Sequence, residues 1–120
     1  MSQAQRAYAP SNTATRSPRS MEYDVIARIT HRLKKAIDEG AYPQLLEAMH
    51  ENRTLWRTLQ IDVADPANGL PDDLRAQIFY LAEFTSQHTR KVIHQRVSAL
   101  PLLEINTAIL RGLKTGGTPT

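Results

Sequence analysis

His31, His50, His88 and His94 are the side chains best suited to hold a metal or to move a proton near neutral pH. No two are four residues apart, and neither an HxxxH nor an HExxH spacing occurs, so a helix-borne zinc site is not encoded. The chain has no cysteine, which removes disulfides, thiolate nucleophiles and cysteine-ligated zinc together. Asp72 and Asp73 stand side by side and could serve as an acid–base or metal pair. Following Pro71, with no third ligand nearby, they read better as a helix start, where the dipole favours negative charge by about 0.3–1 kcal/mol each. Ser17, Ser20, Ser86 and Ser98 fall where caps or surfaces would put them, without a nucleophile elbow, and no Gly-rich phosphate loop precedes a helix. This inventory points away from an enzyme, and no metal or cofactor is expected.

Two asparagines carry more information. Leu45, Met49, Asn52, Trp56, Leu59 and Val63 are spaced by four, three, four, three and four, which places them on one stripe of a helix. Asn52 is the polar member of that stripe, and Trp56 is the only tryptophan in the chain. Asn106 has the same standing among Leu102, Ile109 and Leu113. A buried amide without a partner costs about 1–3 kcal/mol, so each must meet something specific. A hydrogen-bonded Asn52–Asn106 pair that clamps two helices in register is the expectation. The functional alternative is that one of the two binds a partner's backbone.

Cationic residues form two groups. Arg28, Arg32 and Lys35 share a helix face that Lys34 borders, and Arg90, Lys91 and Arg96 alternate with His88 and His94 in an acid-free run between Ser86 and Ala99. Either could contact nucleic acid. The plainer account of the first is a solvated face paired with Glu22, Asp24, Asp38 and Glu39. That of the second is a basic helix end complementing the dipole. Neither group has interleaved aromatics. The net charge of +3 adds little, because Arg6, Arg16 and Arg19 stand in an acid-free N-terminal stretch while the other twelve basic residues balance the twelve acids.

These residues are positioned by four helical segments. In the first, Ile26, Ile29, Leu33 and Ile37 make the apolar stripe, from Ser17-Pro18 as cap and first position, with Ser20 as a competing cap, to Gly40 as the stop. Tyr42-Pro43 opens the second, which runs to about Asp62 or Val63. Asp65-Pro66 and Asn68-Gly69 then mark a loop. The third starts at Pro71-Asp72-Asp73 and carries Leu74, Ile78, Leu81, Thr85, His88 and Val92 on one stripe, with Phe79, Tyr80 and Phe84 beside it. Pro101 interrupts this helix or begins the last one, over 102–113. A chain of 120 residues, 41% hydrophobic and 22% charged, is one soluble domain's worth. The expectation is an all-α bundle of about four helices over 18–113, with flexible tails at 1–17 and 114–120. No run has the length of a membrane span and the N-terminus lacks the apolar core of a signal peptide, so cytoplasmic residence is expected.

Several stretches resemble the FlaF family of flagellar biosynthesis regulators from the alphaproteobacteria. They are Ser17-Pro18-Arg19 followed by an acid at Glu22, an alanine-containing first helix ahead of Arg32-Leu33, and HENRTLW at 50–56. DPANGLPDDLRAQ at 65–77, LAEFT at 81–85 and EINTAILRGL at 104–113 complete the set. Order and spacing together carry the resemblance over roughly the whole chain, and it is loosest at 90–100. What it implies is a small all-helical cytoplasmic protein similar to flagellin-binding secretion chaperones. Such proteins act with or against the regulator FlbT and are needed for flagellin to be made and exported. The partner would be flagellin's amphipathic terminal helices, which suit an apolar groove. The alternative is post-transcriptional control through direct binding of flagellin mRNA. Phe79, Tyr80, Phe84, Ile105 and Leu110 lie off the main stripes and are the expected lining of a partner groove between the third and last helices, unless each simply packs in the core.

Overall fold

A computed structural model describes the backbone of residues 18–116 and the side chains of residues 23–112. It contains four helices: α1, Pro18–Glu39; α2, Tyr42–Ala64; α3, Asp72–Gln95; and α4, Leu100–Gly116. No strand occurs among the described residues. The cap expected at Ser17 and the tail expected over 1–17 lie outside the described residues, as do residues 117–120. α4 continues to Gly116, three residues past the expected end at 113.

Helix ends follow local chemistry. Gly40 stops α1 with φ +69°, and its N–H donates to Ala36 O at 3.1 Å. Ala41 precedes α2, with Pro in its first turn. The α2–α3 connection is built on two Asx turns, Asp65 Oδ1 accepting from Ala67 N–H and Asn68 Oδ1 accepting from Leu70 N–H. Arg75 reaches back from α3, donating from Nε to Val63 O at 2.9 Å and from Nη2 to Asp65 O at 3.0 Å. A cation thereby satisfies carbonyls at the C-terminal end of α2.

α3 ends at Gln95, six residues short of Pro101, the break that the residue pattern offers. Arg96 adopts φ 57°, a left-handed conformation that a non-glycine residue enters at a cost of about 1–2 kcal/mol. Its guanidinium lies 4.1 Å from the centroid of the Tyr42 ring, a contact that offsets part of that cost. Ser98 then accepts a bond from Leu100 N–H, and Pro101 falls in the first turn of α4.

α1 packs against α2 and α4, α2 packs against α3, and α3 meets α4 only sparsely. The bundle is therefore closed on three sides and looser on the fourth. Leu33, Ala36, Ala48, Met49, Val92, Ala99 and Leu102 form one core cluster at the end that holds the Gly40 turn and the α3–α4 connection. On the expected stripes of α1, α2 and α4, Ile26, Ile29, Leu33, Met49, Asn52, Trp56, Val63, Leu102 and Asn106 are buried, while Ile37, Leu45, Leu59 and Ile109 are half-buried. On that of α3, Thr85 and Val92 are buried as expected and Leu74, Ile78, Leu81 and His88 are half-buried, while the neighbouring Ala82 and Thr89 are buried as well.

Candidate functional site

Asn52 and Asn106 come together at the centre of the bundle, both fully buried. Asn106 Nδ2 donates to Asn52 Oδ1 at 2.7 Å and to Thr30 Oγ1 at 3.1 Å. Asn106 Oδ1 accepts from Trp56 Nε1–H at 2.9 Å. One amide thus ties α4 to α1 and twice to α2. Trp56 and Thr30 are members that the spacing argument did not supply, although a buried indole N–H always demands an acceptor. Asn52 Nδ2 and Thr85 Oγ1 are buried without a hydrogen-bond partner. The network leaves neither asparagine exposed to bind another molecule's backbone.

Along the loose edge, α3 and α4 run antiparallel and leave an apolar seam. Its shallow part is lined by Tyr80, Leu81 and Phe84 of α3 and by Pro101, Glu104, Ile105 and Ala108 of α4. Tyr80 is 67% exposed, while Phe84 and Ile105 are half-buried. Phe84 stacks on His88 with ring centroids 5.5 Å apart, and His88 Nε2 lies 2.8 Å from Ser98 O. A carbonyl can only accept, so the imidazole proton sits on Nε2 and holds the α3–α4 connection in place. Towards the Gly112 end the seam deepens into a cleft of about 230 Å³ between Leu74 and Ile78 of α3 and Ala108, Ile109 and Gly112 of α4. Trp56, Leu59 and Val63 of α2 and Ile26 of α1 also line it. From Pro101 to Gly112 the seam extends about 16 Å, roughly three turns of helix.

Of the five residues expected to line a groove here, Tyr80, Phe84 and Ile105 do so. Phe79 and Leu110 are not among the residues that line it. Phe79 is 43% exposed but points about 100° around α3 from Tyr80. Leu110 shares its angular position with Leu103, seven residues earlier, which packs against the core cluster beside Ile37 and Leu45. The deep cleft was not legible in the sequence, because it results from the splay of α3 from α4 rather than from any residue pattern.

The two cationic groups are separate and partly engaged. Arg32 pairs with Glu51 at 2.5 Å, and its surroundings, Lys35, Glu39, Glu47 and Glu51, mix both signs. Arg28 and Lys35 are exposed, and Lys34 pairs with Asp38. In the second group Arg90 donates to Ser86 Oγ at 3.3 Å and Arg96 lies over Tyr42, while Lys91 is exposed. Among the described residues no three or more His, Asp or Glu are grouped to hold a metal ion, and no helix is long and apolar enough to cross a membrane.

The described residues thus form an all-α, four-helix bundle whose buried polar network fastens helices and which carries an apolar seam between α3 and α4. The chain belongs to the flagellar protein FlaF family, whose sequence profile matches residues 4–113, and its role is a flagellar one. Comparison with curated proteins and with solved structures gave no significant match.

Proposed function

We propose that this protein promotes flagellin synthesis and export by binding flagellin as a cytoplasmic chaperone or adaptor, and that it works by binding rather than by catalysis. The α3–α4 seam takes one of flagellin's amphipathic terminal helices. The observation that carries this reading is the seam itself: a mostly apolar lining about three helical turns long, interrupted by Glu104 and bordered by Asp62, with Tyr80 standing 67% exposed along it. An isolated aromatic of that exposure is ordinary, but one aligned with Phe84, Ile105 and a deep apolar cleft matches the way a groove receives the apolar face of a helix. Family membership supports the flagellar setting.

The test is calorimetric titration of purified flagellin into the wild-type protein and into Tyr80→Asp, at low and moderate salt. The expected result is saturable binding by wild type, nearly independent of salt, and loss of binding in the variant with helicity intact. Binding of flagellin message with steep salt dependence, and no binding of flagellin, would replace this reading with direct RNA recognition through Arg28, Lys35 or Lys91.

A further inference from the structure

The deep end of the seam has a chemical signature that the shallow end lacks. Its floor is Trp56, 1% exposed, and its walls include Leu74, Ile78 and Ile109. Its volume of about 230 Å³ exceeds the void of about 150 Å³ known to admit a benzene ring. Apolar walls with no atoms opposite them forgo dispersion contacts, so an apolar group entering the cleft gains them without displacing well-bound water.

The rim is acidic. Asp62 borders the cleft directly, and Asp65, Asp72 and Asp73 follow at the same end of the bundle around the α2–α3 turn. All four are exposed. The nearest cations are already engaged: Arg75 with Val63 O, Asp65 O and Asp72, and Arg111 within its own set of interactions. The mouth is also unobstructed on the α4 side, since a Cβ built at Gly112 meets nothing within 4 Å.

We propose that this cleft is an anchor pocket for one bulky apolar side chain of leucine, methionine or phenylalanine size, carried on an amphipathic helix with a lysine or arginine within one turn of the anchor. The proposal rests on the seam reading above and deepens it: apolar fit supplies affinity, and the Asp62 rim selects the register and sign of what enters. A central apolar anchor surrounded by weaker polar contacts is the usual energetic pattern of such interfaces.

The probes are two synthetic amphipathic peptides with the same leucine face, one flanked by lysines and one by glutamates, titrated into the full chain. Trp56 is the only tryptophan and floors the cleft, so its emission reports entry directly. The lysine peptide should bind wild type with a saturable change in Trp56 emission, and the glutamate peptide should bind more weakly. Asp62→Lys, on an exposed residue, should reverse that preference by about threefold to tenfold at low salt, an effect that shrinks as salt rises. Replacing the anchor leucine by alanine should cost about tenfold to a hundredfold. Gly112→Phe, which places a ring over the mouth, should abolish the Trp56 response to both peptides while far-UV circular dichroism stays unchanged.

Equal binding of the two peptides by wild type, indifference to Asp62→Lys, or a concentration-dependent Trp56 change without peptide would each overturn the proposal, the last by assigning the cleft to a second copy of the chain. Flagellin bound normally by Gly112→Phe and Asp62→Lys would overturn the anchor while leaving the seam reading intact. Peptides behaving as described without any flagellin binding would do the reverse.

Discussion

Asn106→Ala is the most informative single change to the fold. Asn106 makes three buried hydrogen bonds, to Asn52, Thr30 and Trp56, and has no exposed surface. Truncation leaves the Trp56 indole N–H and Asn52 Oδ1 buried without partners, at about 1–3 kcal/mol each. The Thr30 hydroxyl can turn to a carbonyl of its own helix and adds little. Water entering the vacated space would recover part of the loss. The net destabilisation is therefore about 2–5 kcal/mol, a large fraction of the 5–15 kcal/mol of typical stability. Urea unfolding followed by far-UV circular dichroism should show the midpoint falling by about 1–2.5 M at an unchanged slope of about 2 kcal/mol per M. Asn52→Ala combined with Asn106→Ala should reveal a coupling energy of at least about 1 kcal/mol in a double-mutant cycle. A loss below about 1 kcal/mol for Asn106→Ala, or no coupling, would refute the clamp.

Other substitutions separate the surface from the scaffold. Tyr80→Asp should leave the unfolding free energy within about 0.5 kcal/mol of wild type, whereas Leu110→Asp, on the half-buried side of α4, should cost about 2 kcal/mol or more; paired urea unfolding curves decide this. Gly40→Ala should destabilise by about 1 kcal/mol through its positive φ alone, because an added Cβ there meets nothing within 4 Å; thermal melts would show it. Arg75→Ala should cost about 1–3 kcal/mol by releasing the Val63 carbonyl of α2 and the Asp65 carbonyl just beyond it, and hydrogen exchange should speed up in the last turn of α2 before elsewhere.

Helix-level organisation was legible because each helix carries a strong local signal: Gly40, Tyr42-Pro43, Asp65-Pro66 with Asn68-Gly69, and Pro71-Asp72-Asp73 all act within a few residues of the boundary they set. The Asn52–Asn106 pairing was legible for a different reason. A polar residue on an otherwise apolar stripe must find a partner, and the two stripes each held one. The end of α3 was not, because Arg96 takes a backbone conformation that its residue type disfavours and draws support from Tyr42, fifty-four positions away. The α3 stripe was legible in part: Thr85 and Val92 are buried on it, but spacing alone does not pick out their buried neighbours Ala82 and Thr89. The seam was half legible. Tyr80, Phe84 and Ile105 follow from lying off the core stripes, but that criterion cannot distinguish the α1 side of α4, where Leu110 falls, from the α3 side. Nor can it register the cleft beneath Gly112, which depends on how far two helices splay.

Hydrogen exchange across the described helices, with and without purified flagellin, tests the central claim most directly. The account predicts new protection confined to the facing sides of α3 and α4, centred on residues 74–84 and 101–112, with α1 and the first half of α2 unchanged. Protection centred on α1, or none at any flagellin concentration, would contradict it.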